Sequence, residues 1–152
     1  MPVTGRVLGV DFGERRVGLA LSDPLGITAQ PLVTLQIASL TQAVEEVARV
    51  AREEEAVLVV VGYPLLLSGE AGALARRVER FAVALEAALG IPVLKWDERL
   101  SSVQASRVVR EEGKRRAPRG REDRVAASLI LAAYLDRERA RQEQAHPGQA
   151  GD

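Results

Sequence analysis

Three observations predict an α/β fold built on one mixed sheet. Apolar runs of strand length follow one another closely at residues 7–10, 17–21 and within 27–35. A continuous apolar run, 56–62, lies between two segments whose apolar residues recur at helical spacing, and a further short run, 91–96, follows the second of them. Short links between neighbouring strands favour an antiparallel meander, whereas strands separated by helices return parallel. The implied order is β-β-β-α-β-α-β-α-α, a five-stranded sheet with its first three strands antiparallel and helices on its faces.

The first three runs are separated by links containing Gly13, Pro24 and Gly26, all turn formers. Ser39-Leu-Thr-Gln42 has the form of a capping box, and Leu40, Val44, Val47 and Ala51 follow at helical spacing. The run 56–62 reads as a strand buried on both faces. Leu74, Val78, Phe81, Leu85 and Leu89 form the next helical stripe, which Gly90 and Pro92 stop. A fifth strand is expected within 91–96. Ser101-Ser-Val-Gln104 is a second capping box, opening a helix expected to reach about residue 112. The last helix is expected over 123–139, with Val125, Ala126, Leu129, Ile130 and Ala133 on one face. The polar end contains Pro147 and two glycines, so one domain over residues 1–139 and a disordered tail over 140–152 are expected.

A chain of 152 residues is long enough to bury a full core as one domain. Its 47% hydrophobic and 28% charged residues read as an ordinary soluble globular protein. No apolar run approaches the ~20 residues that span a bilayer, and the N-terminal residues lack the features of a signal peptide, so no membrane association and a cytoplasmic location are expected. There is no Cys, and the one His, His146, lies in the polar end, which nearly excludes thiol and imidazole chemistry. Net charge is zero but unevenly spread: the nine residues from Gly113 to Arg121 carry five cations and no acid.

Carboxylates are therefore the leading candidates for a reactive site. Asp11 ends the first strand beside the tight link at Gly13. Glu98 follows the fifth strand, and Asp123 starts the last helix. Ligands in open α/β sheets gather at the carboxyl ends of parallel strands, and oxygen donors placed there suit hard divalent cations that act on phosphates. Each acid also has a bland reading. Asp11 could bond only to amides of a hairpin turn, Asp97-Glu98-Arg99 could be a solvated loop, and an acid in a first helical turn is stabilised by the helix dipole. Arg99 could contact phosphate. Lys114, Arg115, Arg116, Arg119 and Arg121 in the basic segment, with Arg15 and Arg16 after Asp11, flank these acids and could follow a nucleic-acid backbone. Tyr63 could stack on a base, whereas Trp96 within a strand is read as core.

In combination these residues resemble a family. Asp11-Phe-Gly with Val17-Gly-Leu-Ala20, Val61-Gly-Tyr-Pro64 with Gly69, Asp97-Glu-Arg-Leu-Ser101, and Asp123 with Ala126-Ala127 occur in the order and approximate spacing of the YqgF/RuvX family. That family comprises pre-16S rRNA nucleases related to Holliday junction resolvases, and the resemblance covers roughly residues 5–137. Asp-Glu-Arg-Leu-Ser is its most specific element. The resemblance implies a ribonuclease H-like fold and an acidic metal-binding trio of Asp11, Glu98 and Asp123. The trio in turn implies hydrolysis of phosphodiesters assisted by Mg2+ or Mn2+, with two ions about 4 Å apart. Leu65-Leu66-Leu67-Ser68 departs from the family's usually more polar stretch, and Leu66 and Leu67 are expected to pack locally or to face a partner.

The leading expectation is a metal-dependent endonuclease that processes the 5′ end of pre-16S rRNA during ribosome biogenesis. Structured RNA and branched DNA present the same backbone chemistry, so a Holliday junction resolvase is the first alternative, and it would need a homodimer for paired cuts. A non-catalytic nucleic-acid-binding module is another. A phosphate-transferring ATPase, which Asp11-Phe-Gly also resembles, would need a second such domain.

Overall fold

The computed structural model describes residues 5–66, 68–103 and 120–145. Strands β1 (Arg6–Phe12), β2 (Arg16–Ser22) and β3 (Ala29–Gln36) are followed by helix α1 (Leu40–Glu53), strand β4 (Ala56–Tyr63), helix α2 (Ala73–Leu89) and strand β5 (Val93–Asp97). A single 3-10 turn, Glu98–Leu100, leads off β5, and helix α3 (Gly120–Ala145) closes the described chain. The sheet order is β3-β2-β1-β4-β5. β1–β2 and β2–β3 pair antiparallel, while β1–β4 and β4–β5 pair parallel.

Local sequence explains most of the boundaries. Ser39 caps α1 by accepting from the Gln42 amide at 3.1 Å, and Gln42 Oε1 accepts in return from the Ala38 amide. Gly90 ends α2 in the left-handed conformation, φ 72°. The helix expected after Ser101 lies outside the described residues apart from its first positions. The last helix begins before Asp123 and continues through Ala145, so residues 140–145 are helical and not part of a tail. That stretch consists of good helix formers, and pairs such as Arg141–Glu138 at 2.9 Å link successive turns. Residues 146–152 lie outside the described ones.

Period-two alternation divides the core between the two sheet faces. Leu8, Val10 and Phe12 of β1, with Val59 and Val61 of β4, pack under α1 and α2. Val7, Ala20, Leu58 and Val60 pack under α3 with Ala126, Ala127, Ile130 and Leu131. α3 lies unusually close to its face. A side chain added at Gly9 would come within 2.8 Å of Leu131 Cβ and 2.9 Å of the Ala127 carbonyl oxygen. Among the described residues no helix is long and apolar enough to cross a membrane.

Candidate active site

Asp11 is the next-to-last residue of β1. Alternation turns it to the same face as Val7 and Gly9, the face covered by α3. Its antiparallel neighbour is Gly18 on β2. On the other side, the register Val10–Val61 brings Gly62 of β4 next to it. Cross-strand neighbours project from the same face, one strand spacing of about 4.8 Å apart. Asp11 is thus flanked on both sides by positions that lack a side chain.

The two glycines are where the other acids arrive. A Cβ on Gly62 would lie 2.6 Å from Glu98 Oε1, so the Glu98 carboxylate rests directly on that glycine. A Cβ on Gly18 would collide with the Asp123 carbonyl and come within 2.7 Å of the Arg124 amide nitrogen, so the first turn of α3 rests on Gly18. Asp11, Glu98 and Asp123 therefore gather on one face at one edge of the sheet, with Asp11 between the others. Their residues are 3%, 0% and 8% exposed, and among the described residues they are the buried acids.

Glu98 and Asp123 are each held by a local device. Asp97 caps the 3-10 turn, accepting from the Arg99 amide at 2.9 Å and from the Arg99 guanidinium at 2.8 Å, and so fixes the backbone on either side of Glu98. Arg99 holds the Asp97 carboxyl below its ordinary range. Asp123 lies in the first turn of α3, where the helix dipole favours a negative charge. Arg16 Nε donates to Asp123 Oδ2 at 2.8 Å, carrying a half-exposed cation from the rim into the site. Among the described residues no three acids are already drawn around one metal position. The Arg16 contact bears on that, because it turns the Asp123 carboxylate towards β2.

The donor set nevertheless suits a hard divalent cation. All three groups are carboxylates, all are withdrawn from water, and clustered like charges favour a cation between them.

The basic residues divide. Arg15 is exposed in the β1–β2 turn, and Arg121 is exposed in the first turn of α3. Arg99 is paired with Asp97 and lies beside the β4–α2 connection, its Nη1 3.5 Å from where a Gly69 side chain would begin. Lys114, Arg115, Arg116 and Arg119 lie outside the described residues, as does Leu67. Leu66 is exposed and packs locally on Gly72. Tyr63 Oη donates to Glu79 Oε1 at 2.6 Å, which raises the pKa of the phenol, and Lys95 stands 5.3 Å above its ring. A base stacking on that face would have to displace Lys95. Sequence reasoning overlooked the glycines that seat the acids, although Gly18 and Gly62, each inside an apolar strand, were the available signal for a close approach.

A family model described as RuvX, Holliday junction resolvase, matches residues 5–137. A protein of Syntrophus aciditrophicus named "Putative pre-16S rRNA nuclease" is 48% identical over 132 residues, covering 86% of this chain and 88% of that protein. One of the same name from Koribacter versatilis is 46% identical over 136 residues, covering 89% of each. Among solved structures, RuvC of T. thermophilus in complex with a Holliday junction substrate superposes with a TM-score of 0.57 at 18% identity, over 86% of this chain and 93% of that one. The sheet order and the RuvC superposition make the fold ribonuclease H-like. The family match runs over the elements that carry Asp11, Glu98 and Asp123, and the chain belongs to the RuvX family.

Proposed function

We propose that this protein is a metal-dependent endonuclease that hydrolyses phosphodiester bonds at the 5′ end of precursor 16S rRNA in the cytoplasm. The observation that carries this reading is the gathering of three buried carboxylates on one sheet edge, each seated by a different element. The names of the relatives supply the substrate class. Asp11, Glu98 and Asp123 would hold Mg2+ or Mn2+. When bound, such a cation polarises the phosphate and makes a water nucleophilic at neutral pH.

The chain's own residues divide the remaining work. Asp11 is central and anchors the site to β1, the middle strand of the sheet. Glu98, held between Asp97 and Arg99, closes the β4–β5 side. Asp123 closes the β2 side, where Arg16 neutralises it and can also meet an incoming phosphate. Arg99 and Arg121 would line the rim, Arg15 would extend the basic surface beyond the β1–β2 turn, and the basic residues Lys114, Arg115, Arg116 and Arg119 precede α3 in sequence. Cations so distributed attract a polyanionic backbone without reading its sequence.

The family description favours a second reading, a resolvase acting on branched DNA. Incubating the protein with 5′-extended 16S precursor and with a four-way DNA junction, each in Mg2+, in Mn2+ and in EDTA, separates the two. Metal-dependent shortening of the precursor is expected. Cleavage confined to the junction would move the substrate to DNA, and no cleavage of either by wild-type protein would overturn the nuclease reading.

A further inference from the structure

Phe12, the neighbour of Asp11, points to the opposite face of the sheet. There it meets Phe81 of α2, with ring centroids 4.7 Å apart, and the guanidinium of Arg77 stands 5.7 Å over its ring. The Arg77 Nε is buried and, among the described residues, has no hydrogen-bond partner. That nitrogen is closed off from solvent, so Arg77 can meet a ligand in solvent only through its terminal nitrogens. Arg77 lines an open cleft of about 780 Å3 together with Glu14, Arg15, Arg16, Gln36, Ile37 and Ala38, three arginines to one acid. Arg16 is partly committed to Asp123, which leaves Arg15 and Arg77 as the cations facing the cleft.

The cleft and the acids share one edge of the sheet and are separated only by the end of β1 and the turn that follows it. That turn is tight: the Gly13 amide donates to the Arg16 carbonyl at 2.9 Å, and a side chain on Gly13 would come within 2.7 Å of the same oxygen. A flexible strand can cross such a rim, whereas a duplex is too stiff to turn over it.

We propose that this cleft is a second phosphate seat, in which Arg77 and Arg15 grip the backbone of a single-stranded segment of nucleic acid after it leaves the acid site and crosses the Gly13–Arg16 turn. The seat rests on the nuclease reading for the identity of its polyanion. It gives that reading a direction, because the substrate would run over the β1–β2 turn towards α2. Arg77 suits the role because its planar fork presents donors in fixed geometry and its ring contact with Phe12 fixes the guanidinium.

The test is anisotropy binding of labelled single-stranded oligouridylates in an Asp11→Asn background, which prevents cutting. A strand of about 4 nucleotides fills one site, and a strand of about 16 reaches both. Arg77→Gln is expected to weaken the longer strand about tenfold and to reduce its salt slope by about 0.7 for each phosphate no longer neutralised, leaving the shorter strand unchanged. Arg80→Gln, on an exposed position of the same helix, is expected to change neither. Arg15→Gln, altering an exposed turn residue, should give the same length-dependent loss and keeps the test decisive if Arg77→Gln does not fold. Equal losses for both lengths, or unchanged affinity and slope for the longer strand, would overturn the seat while leaving the acid site untouched. Persistent cutting in the Asp11→Asn background would instead overturn the role of the acids, and the length comparison would still be read from the initial anisotropy.

Discussion

Gly62→Ala places one methyl group where the Glu98 carboxylate now lies. The added Cβ would be 2.6 Å from Glu98 Oε1 and 2.6 Å from Ile130 Cδ1, and ordinary contact begins at 3.4 Å, so each atom must retreat by 0.8 Å. Ile130 is fully buried in the α3 interface and Glu98 is held by the 3-10 turn, so neither yields freely. Overpacking of this kind costs roughly 1–3 kcal/mol, offset by about 0.4–1 kcal/mol from the less flexible unfolded chain. A net loss of about 1–2 kcal/mol lowers Tm by roughly 2–8 °C in a chain of this size. The effect on chemistry should be larger in proportion, because a displacement near 1 Å of a reacting group can cost about 100-fold in rate. Circular dichroism melts and single-turnover cleavage separate the two effects. Gly72→Ala is the control, since its Cβ would find Leu66 at an ordinary 3.6 Å, and it should leave cleavage unchanged. Wild-type cleavage by folded Gly62→Ala would refute the argument that Glu98 acts from its seat on Gly62.

Other perturbations probe the same arrangement. Asp11→Asn keeps the shape and removes the central charge, so cleavage should fall sharply while the metal-free protein melts at the same temperature or higher, since clustered carboxylates repel. A clear drop in its melting temperature would contradict that clustering. Arg16→Met removes one partner of Asp123 and should destabilise the protein in EDTA by about 1–2 kcal/mol. Added Mg2+ should recover most of that loss, and a deficit unaffected by Mg2+ would place Arg16 outside the acid site. The lowered pKa of Asp97 makes its contribution to folding complete above the ordinary carboxylate value of 3.8 and lost as pH falls through the lowered folded value. The stability gap between wild type and Asp97→Ala should therefore be constant near neutrality and close in acid. A gap that persists unchanged in acid would show that the Asp97–Arg99 contact does not depend on charge.

Much of this architecture is legible in the chain because its signals are local. The Ser39–Gln42 cap, the Gly90 stop and the unbroken apolar run of β4 each specify their element within a few residues. The positions of Asp11, Glu98 and Asp123 at two strand ends and one helix start are equally readable. Their side-by-side placement depends on β4 lying next to β1 and β5 next to β4, pairings between distant segments that no local pattern announces. Gly18 and Gly62 are visible in the sequence, but what fills the space above them is not. Arg77 gives even less warning, since on a helical wheel it is one of several α2 cations, and only the packing of Phe12 against Phe81 gives it a platform. In the C-terminal segment the polar composition suggests a tail, whereas the helix formers at 140–145 carry α3 beyond the expected residue 139.

Crystals grown or soaked with Mn2+ and examined by anomalous scattering test the central claim most directly. The account predicts Mn2+ density bounded by carboxylate oxygens of Asp11, Glu98 and Asp123, with the Asp123 side chain released from Arg16, and predicts its loss in Asp11→Asn. Strong Mn2+ density elsewhere, with these three carboxylates unchanged and Arg16 still on Asp123, would contradict it.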